Sequence, residues 1–152
     1  MVKRCCRFVV AVLFALSCCI CIAFADTVEP SSSQDVIYFE DGSYLEIEIV
    51  VSPVSPLSSI KEAEKIYTYK TFSGENIVSY TLFGRFEYDG TTSESVYVDY
   101  RAAIYKSGWD LEHHDEGFAG NKVSGTATFS GPNDASKTII GSISCDKDGR
   151  IS

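Results

Sequence analysis

Beyond residue 25 the chain contains a single cysteine, Cys145, and the whole 152-residue sequence has two histidines and one tryptophan. A lone cysteine excludes an intrachain disulfide and any C-x-x-C zinc or redox pair in that part of the chain. The two histidines, His113 and His114, are adjacent, which excludes the H-E-x-x-H arrangement of metalloproteases. There is also no G-x-S-x-G nucleophile elbow and no glycine-rich phosphate loop. Positive charge is scarce, with 13 Lys and Arg against 21 Asp and Glu for a net charge of −8. That balance argues against nucleic acid as a partner. No motif implies a cofactor, and no set of catalytic residues can be assembled.

The apolar run 8–24 follows Lys3, Arg4 and Arg7 and ends at Ala23-Phe24-Ala25, before Asp26. A basic start, an apolar core and a small-residue end form the layout of a secretory signal peptide, so residues 1–25 are expected to be removed after Ala25 and the protein secreted. The run is close to the lower length limit of ~17 residues for a membrane span, so the alternative is an uncleaved N-terminal anchor. Cleavage takes away Cys5, Cys6, Cys18, Cys19 and Cys21 together with the three basic residues. The 127 residues that remain carry 10 basic and 21 acidic side chains, a net charge of −11. After cleavage no membrane association is expected. A domain of that size buries roughly two-thirds of its unfolded surface and needs no disulfide.

Residues 26–35 are polar, with Pro30 and a serine run, and read as a flexible lead-in to a single domain over 36–152. Val36, Tyr38, Leu45, Ile47, Ile49 and Val51 alternate on either side of Asp41-Gly42, which predicts a hairpin closed by a two-residue turn between Glu40 and Ser43. Glu46 and Glu48 fall on the opposite, solvent-facing side. Pro53 and Pro56 break the pattern, and Ser59-Ile60-Lys61-Glu62 has capping-box spacing for one short helix up to Lys65. Further strands are predicted from Ile66, from Ile77 to Tyr88, over Val96, Val98, Tyr100, Ala102 and Ile104, and from Trp109 to His113. A polar loop is expected over 115–121. Two more strands follow, carrying Val123, Gly125, Ala127 and Phe129, then Ile139, Gly141, Ile143 and Cys145, with Asp148-Gly149 folding the end back.

Seven to nine short strands with at most one short helix predict an all-β fold, an antiparallel β-sandwich of immunoglobulin-like or related Greek-key or jelly-roll type.

Five stretches carry a resemblance: Tyr67-Thr68-Tyr69-Lys70, the segment from Leu82 through Gly84-Arg85-Phe86 to Gly90, Ile104-Tyr105-Lys106-Ser107-Gly108-Trp109, the segment from Gly120 to Phe129, and Ser144-Cys145-Asp146-Lys147-Asp148-Gly149. Over about 85 residues from Lys65 the chain resembles an uncharacterised family of small secreted β-rich proteins from Gram-positive gut bacteria. The resemblance implies secretion and a β fold. It also implies a second Cys where this chain has Glu94-Ser95, so that a disulfide of the family is missing here. It supplies no activity.

Several residues qualify as candidate sites, each with a structural alternative. In an extended strand Asp110, Glu112 and His114 project from one face about 7 Å apart and suit a divalent metal; otherwise they are the exposed face of an edge strand, with Trp109 and Leu111 turned inward. Asp146-Lys147-Asp148-Gly149 imitates part of a calcium loop or forms a hairpin turn. Cys145 alternates with apolar residues as an unpaired core thiol, and as a nucleophile it would need His113 or His114 as its base. Glu46 and Glu48 have the chemistry of a glycosidase acid and base or are solvent-facing. Tyr97 and Tyr105 flank Asp99, Arg101 and Ala103 as an outward aromatic row suited to a sugar or a protein, as does Trp109; the alternative is inward packing.

The sum predicts a secreted, acidic, monomeric and non-enzymatic binding or interaction module for an extracellular protein or glycan. The alternatives are a small metal-dependent hydrolase using the His and carboxylate cluster, and a carbohydrate-binding module.

Overall fold

A computed structural model describes residues 31–52 and 59–152; the apolar leader, the first part of the lead-in and the Pro53 and Pro56 break lie outside the described residues. Eight strands follow one another: β1 (Ser31–Tyr38), β2 (Tyr44–Val51), β3 (Ile60–Lys70), β4 (Asn76–Tyr88), β5 (Ser93–Ile104), β6 (Asp110–Ala119), β7 (Lys122–Ser130) and β8 (Ser136–Ser144). They form two antiparallel sheets, β1-β2-β3-β4-β5 and β6-β7-β8, sharing one core. The all-β sandwich is as expected. Its path is not, since every hydrogen-bonded neighbour is also a chain neighbour: the connections make a meander in each sheet, without the Greek-key or immunoglobulin-like crossing.

The two sheets meet through aromatic rings seated on glycine. In the smaller sheet Gly125 lies opposite Gly141, and in the larger sheet Tyr67 lies opposite Tyr80. A Cβ at Gly125 would come within 2.1 Å of the Tyr80 hydroxyl, and one at Gly141 within 2.7 Å of Tyr67. The glycine pair is therefore a trough that receives two tyrosine rings, both buried. Trp109 rests on Gly131 in the same way, and Tyr88 on Gly149. Val123, Ala127, Phe129, Ile139 and Ile143 pack around this trough against Ala63, Val78, Leu82 and Phe86.

Four local departures from the sequence expectation have identifiable causes. The first hairpin closes between Phe39 and Ser43, with Gly42 at φ 80 and its N–H donating to the Phe39 carbonyl at 3.0 Å. One more residue in the turn slips the register, so Tyr38 opposes Tyr44 and Ile37 opposes Leu45. A one-residue slip exchanges the faces: Val36 and Tyr38 join Glu46 and Glu48 outside, while Leu45, Ile47, Ile49 and Val51 stay on the core side. The lead-in is correspondingly shorter, because β1 begins at Ser31.

The helix expected from Ser59 is the start of β3. Residues 60–62 are in register with β4, and 63–70 with both β4 and β2, so sheet pairing overrides local helix propensity. Ala63, fully buried opposite Gly84, fits where a larger side chain would not. The only helical turn among the described residues is Pro132–Asp134.

The third and fourth departures are bulges in β5 and β6. Val96 is the extra residue where Arg85 pairs with Tyr97 and Phe86 with Ser95, so Ser95 takes the inner position and Val96 is left exposed. In β6 the bulge falls at Glu112, between Leu111 opposite Phe129 and His113 opposite Thr128. The expected loop over 115–121 is mostly strand, closed by a tight turn at Gly120-Asn121.

The Tyr80 hydroxyl is buried with no hydrogen-bond partner. Burial first, then the negative charge of Glu116, pushes its phenol up to about 12 from 10. A folded-state value above the unfolded one means that the stability is fully present below pH 10 and is lost as pH rises through about 12. Equilibrium unfolding measured across pH 8 to 12 is expected to weaken once the unfolded Cys145 thiol ionises above about 9 and to fall more steeply above 10, where the unfolded Tyr80 phenol ionises; a flat profile to pH 12 contradicts this burial.

Candidate functional site

The inner face of the five-stranded sheet is consumed by the core over β3 and β4, which leaves its outer face as the open surface. Register decides what meets there. Glu62 lies opposite Arg85 and Glu64 opposite Phe83; Arg85 lies opposite Tyr97, Phe83 opposite Asp99 and Thr81 opposite Arg101. All of these side chains except Glu62, together with Tyr100, line a shallow groove of about 480 Å³ across β3, β4 and β5.

Tyr97 is the centre of this groove. The residue is 44% exposed yet engaged on three sides: the hydroxyl donates to Asp99 Oδ2 at 3.1 Å, the Phe83 ring meets it near edge-on at 5.8 Å, and the Arg85 guanidinium lies over one ring face, 5.8 Å from its centroid. The hydrogen bond to Asp99, reinforced by that carboxylate's charge, raises the phenol above its ordinary pKa, with Arg85 acting against it. Arg85 Nε and Nη2 donate to Glu62 Oε1 at 2.7 and 2.6 Å, and Arg101 Nη2 donates to Glu64 Oε2 at 3.2 Å. Pairs this exposed contribute about 0–1 kcal/mol.

Tyr105 shares the outer face but not the groove. It follows the end of β5, 56% exposed, with its hydroxyl 3.4 Å from Ser79 Oγ. Eight residues of strand, roughly 26 Å, separate it from Tyr97, so the expected two-tyrosine row is not one platform. The companions of Tyr97 are Phe83, Arg85 and Asp99 instead. Two of the three come from β4, and only the bulged pairing of β4 with β5 brings them alongside.

Trp109 is buried, 6.0 Å from the Tyr69 ring and against Gly131, and presents no face to a ligand. The bulge at Glu112 also dissolves the Asp110, Glu112 and His114 face. His114 pairs with Ala127, on the side that faces the larger sheet, and its ring lies tilted against Tyr100 with centroids 4.0 Å apart, at an edge where the residue remains exposed. Its nearest acidic group is Glu116, at 3.7 Å. No group of three or more His, Cys, Asp or Glu among the described residues is arranged to hold a metal ion.

The remaining candidates resolve into structural roles. Asp146 Oδ1 accepts the backbone N–H groups of Asp148 and Arg150, each at 2.9 Å, and these bonds hold its carboxyl below the usual range. The calcium-like stretch is a turn that returns Ile151 to pair with Cys145. Glu46 is engaged by Lys70 and Gln34, one strand face with Glu48. Cys145 is fully buried; its N–H donates to the Asn121 carbonyl and its carbonyl accepts from Asn121 Nδ2. Ser95, in the segment where the resemblance implies a second Cys, donates its hydroxyl to the Gly120 carbonyl at 2.7 Å.

Comparison with protein-family models, with curated proteins and with solved structures finds no match.

Burial pushes the Cys145 thiol above its ordinary range, with the neighbouring Ser93 hydroxyl acting the other way. A protonated, enclosed thiol is a poor nucleophile. Titration of the protein lacking residues 1–25 with a disulfide reagent at pH 8 is expected to show no fast-reacting thiol in the native state and one in denaturant. Rapid native reaction would place Cys145 at a reactive surface.

Proposed function

We propose that the protein is a secreted, non-enzymatic binding module that recognises a sugar ring in the groove centred on Tyr97. The observation that carries this reading is an exposed aromatic ring fixed in place by Asp99, Phe83 and Arg85. A ring that is already immobile loses little conformational entropy on binding. Aromatic faces accept the C–H side of a sugar, while its hydroxyls need hydrogen-bonding groups at the rim. Asp99, Glu64 and Arg101 line the same groove. A shallow, open groove also fits recognition better than catalysis, which calls for water exclusion and convergent acid and base groups.

An extracellular setting follows the leader read from the sequence. The excess of acidic residues disfavours anionic ligands, and the groove's arginines are already engaged by Glu62 and Glu64. An uncharged sugar is the ligand class that needs neither charge to be released.

A glycan array probed with the protein lacking residues 1–25, alongside its Tyr97→Ala variant, tests the reading. Loss of a central aromatic anchor is expected to weaken binding by about tenfold or more, the equivalent of ~1.4 kcal/mol, with the unfolding midpoint nearly unchanged. Equal binding by the variant, or no glycan bound by the parent, contradicts it.

A further inference from the structure

The outer face carries a second aromatic patch at its opposite corner. Tyr38 and Tyr44, paired across β1 and β2, place their rings 5.6 Å apart. Phe72, from the β3–β4 turn, lies over Gly42 beside them. Tyr38 is 75% exposed and Phe72 84%, and with Val36, Gln34 and Glu46 they frame a depression of about 460 Å³. Large exposed aromatics are unusual on a domain with its core already filled. The one-residue slip of the first hairpin puts Tyr38 on this side.

The register relates the two patches. Tyr44 is opposite Lys70 at one end of β3, and the Tyr97 row meets β3 at Glu62, eight residues away. Three strand spacings separate β2 from β5. Together these place the patches roughly 30 Å apart along the diagonal. Between them the outer face carries Glu46 and Glu48, Thr68 and Ile66, and Ser79 and Thr81, the last two buried. Each of the three cations of the face has a carboxylate partner, Lys70 with Glu46, Arg85 with Glu62 and Arg101 with Glu64.

We propose that this face binds a linear, uncharged polysaccharide laid diagonally across the strands, gripped by Tyr97 at one end and by Tyr38 with Phe72 at the other. The proposal rests on the sugar-binding reading of the Tyr97 groove and extends it. A compact ligand cannot touch both corners, whereas a chain of sugars presents the same C–H faces and hydroxyls along its length. Paired cations and a net charge of −11 without the leader leave no attraction for an acidic polymer. Two anchors on one chain act through effective concentration, so affinity grows with length until both are reached.

The test is affinity electrophoresis and calorimetry with soluble uncharged glucans, mannans and xylans and with their oligomers of increasing length. The parent, Tyr97→Ala, and the double variant Tyr38→Ala/Phe72→Ala are compared, and circular dichroism confirms that each is folded. The expected result is affinity that rises with chain length. The double variant loses tenfold or more for the polymer but nothing for a disaccharide, and Tyr97→Ala weakens both. If Tyr97→Ala abolishes binding while the double variant keeps full polymer affinity, the Tyr97 site stands and the spanning mode is overturned. Equal affinity for disaccharide and polymer also overturns it. Binding of none of these glycans, or of a protein ligand alone, overturns both readings.

Discussion

Two tyrosine rings lying on a pair of glycines set the distance between the sheets, and most of the molecule follows from that contact. Gly125 and Gly141 face each other across β7 and β8, and the missing side chains make room for Tyr80 and Tyr67. An interior at crystal-like density cannot accommodate even one added methyl group there without movement. The contact also has a cost, because the Tyr80 hydroxyl is left without a partner. Burial of the two aromatic bodies contributes ~1.5–3 kcal/mol each, which offsets an unsatisfied hydroxyl of about 1–3 kcal/mol.

With the inner layer committed in this way, the outer face of the larger sheet is left open to solvent. The bulges then decide which residues appear there. At Val96 the extra residue lets Ser95 turn inward to the Gly120 carbonyl while Tyr97 stays outward beside Arg85. At Glu112 the same device turns His114 toward the larger sheet, against Tyr100. One bulge keeps Tyr97 beside Arg85 on the outer face, and the other takes His114 off the face that carries Asp110. Bulges re-aim side chains in this manner because each shifts the period of two by one residue.

These same residues mark the limit of what the sequence makes legible. The period of two over Val123, Gly125, Ala127 and Phe129, and over Ile139, Gly141, Ile143 and Cys145, identifies the inner face of the smaller sheet without error, since nothing interrupts it. The two-sheet class was legible for the same reason. Face assignments fail wherever an extra residue enters: at the first turn, at Val96 and at Glu112, none of which has a compositional mark. The capping-box pattern at Ser59 misleads because pairing of residues 60–62 with β4, continued by 63–70 between β2 and β4, outweighs local helix propensity. Tyr97 was recognisable as an outward aromatic. Phe83 and Arg85, its partners, were not, because their proximity depends on strand register, and strand register depends on the bulge. Tyr38 and Phe72 were hidden by the slipped hairpin.

The most direct test of the account is a double-mutant cycle on stability between Gly125→Ala and Tyr80→Phe, measured by denaturant unfolding. The added methyl collides with the tyrosine hydroxyl at 2.1 Å, and that hydroxyl has no partner to lose. Removing it should therefore be neutral or stabilising alone and should relieve more than ~1 kcal/mol of the Gly125→Ala penalty. If the two effects instead add within about 0.5 kcal/mol, the sheets are not held apart by this contact, and the account of how the sandwich is built is wrong.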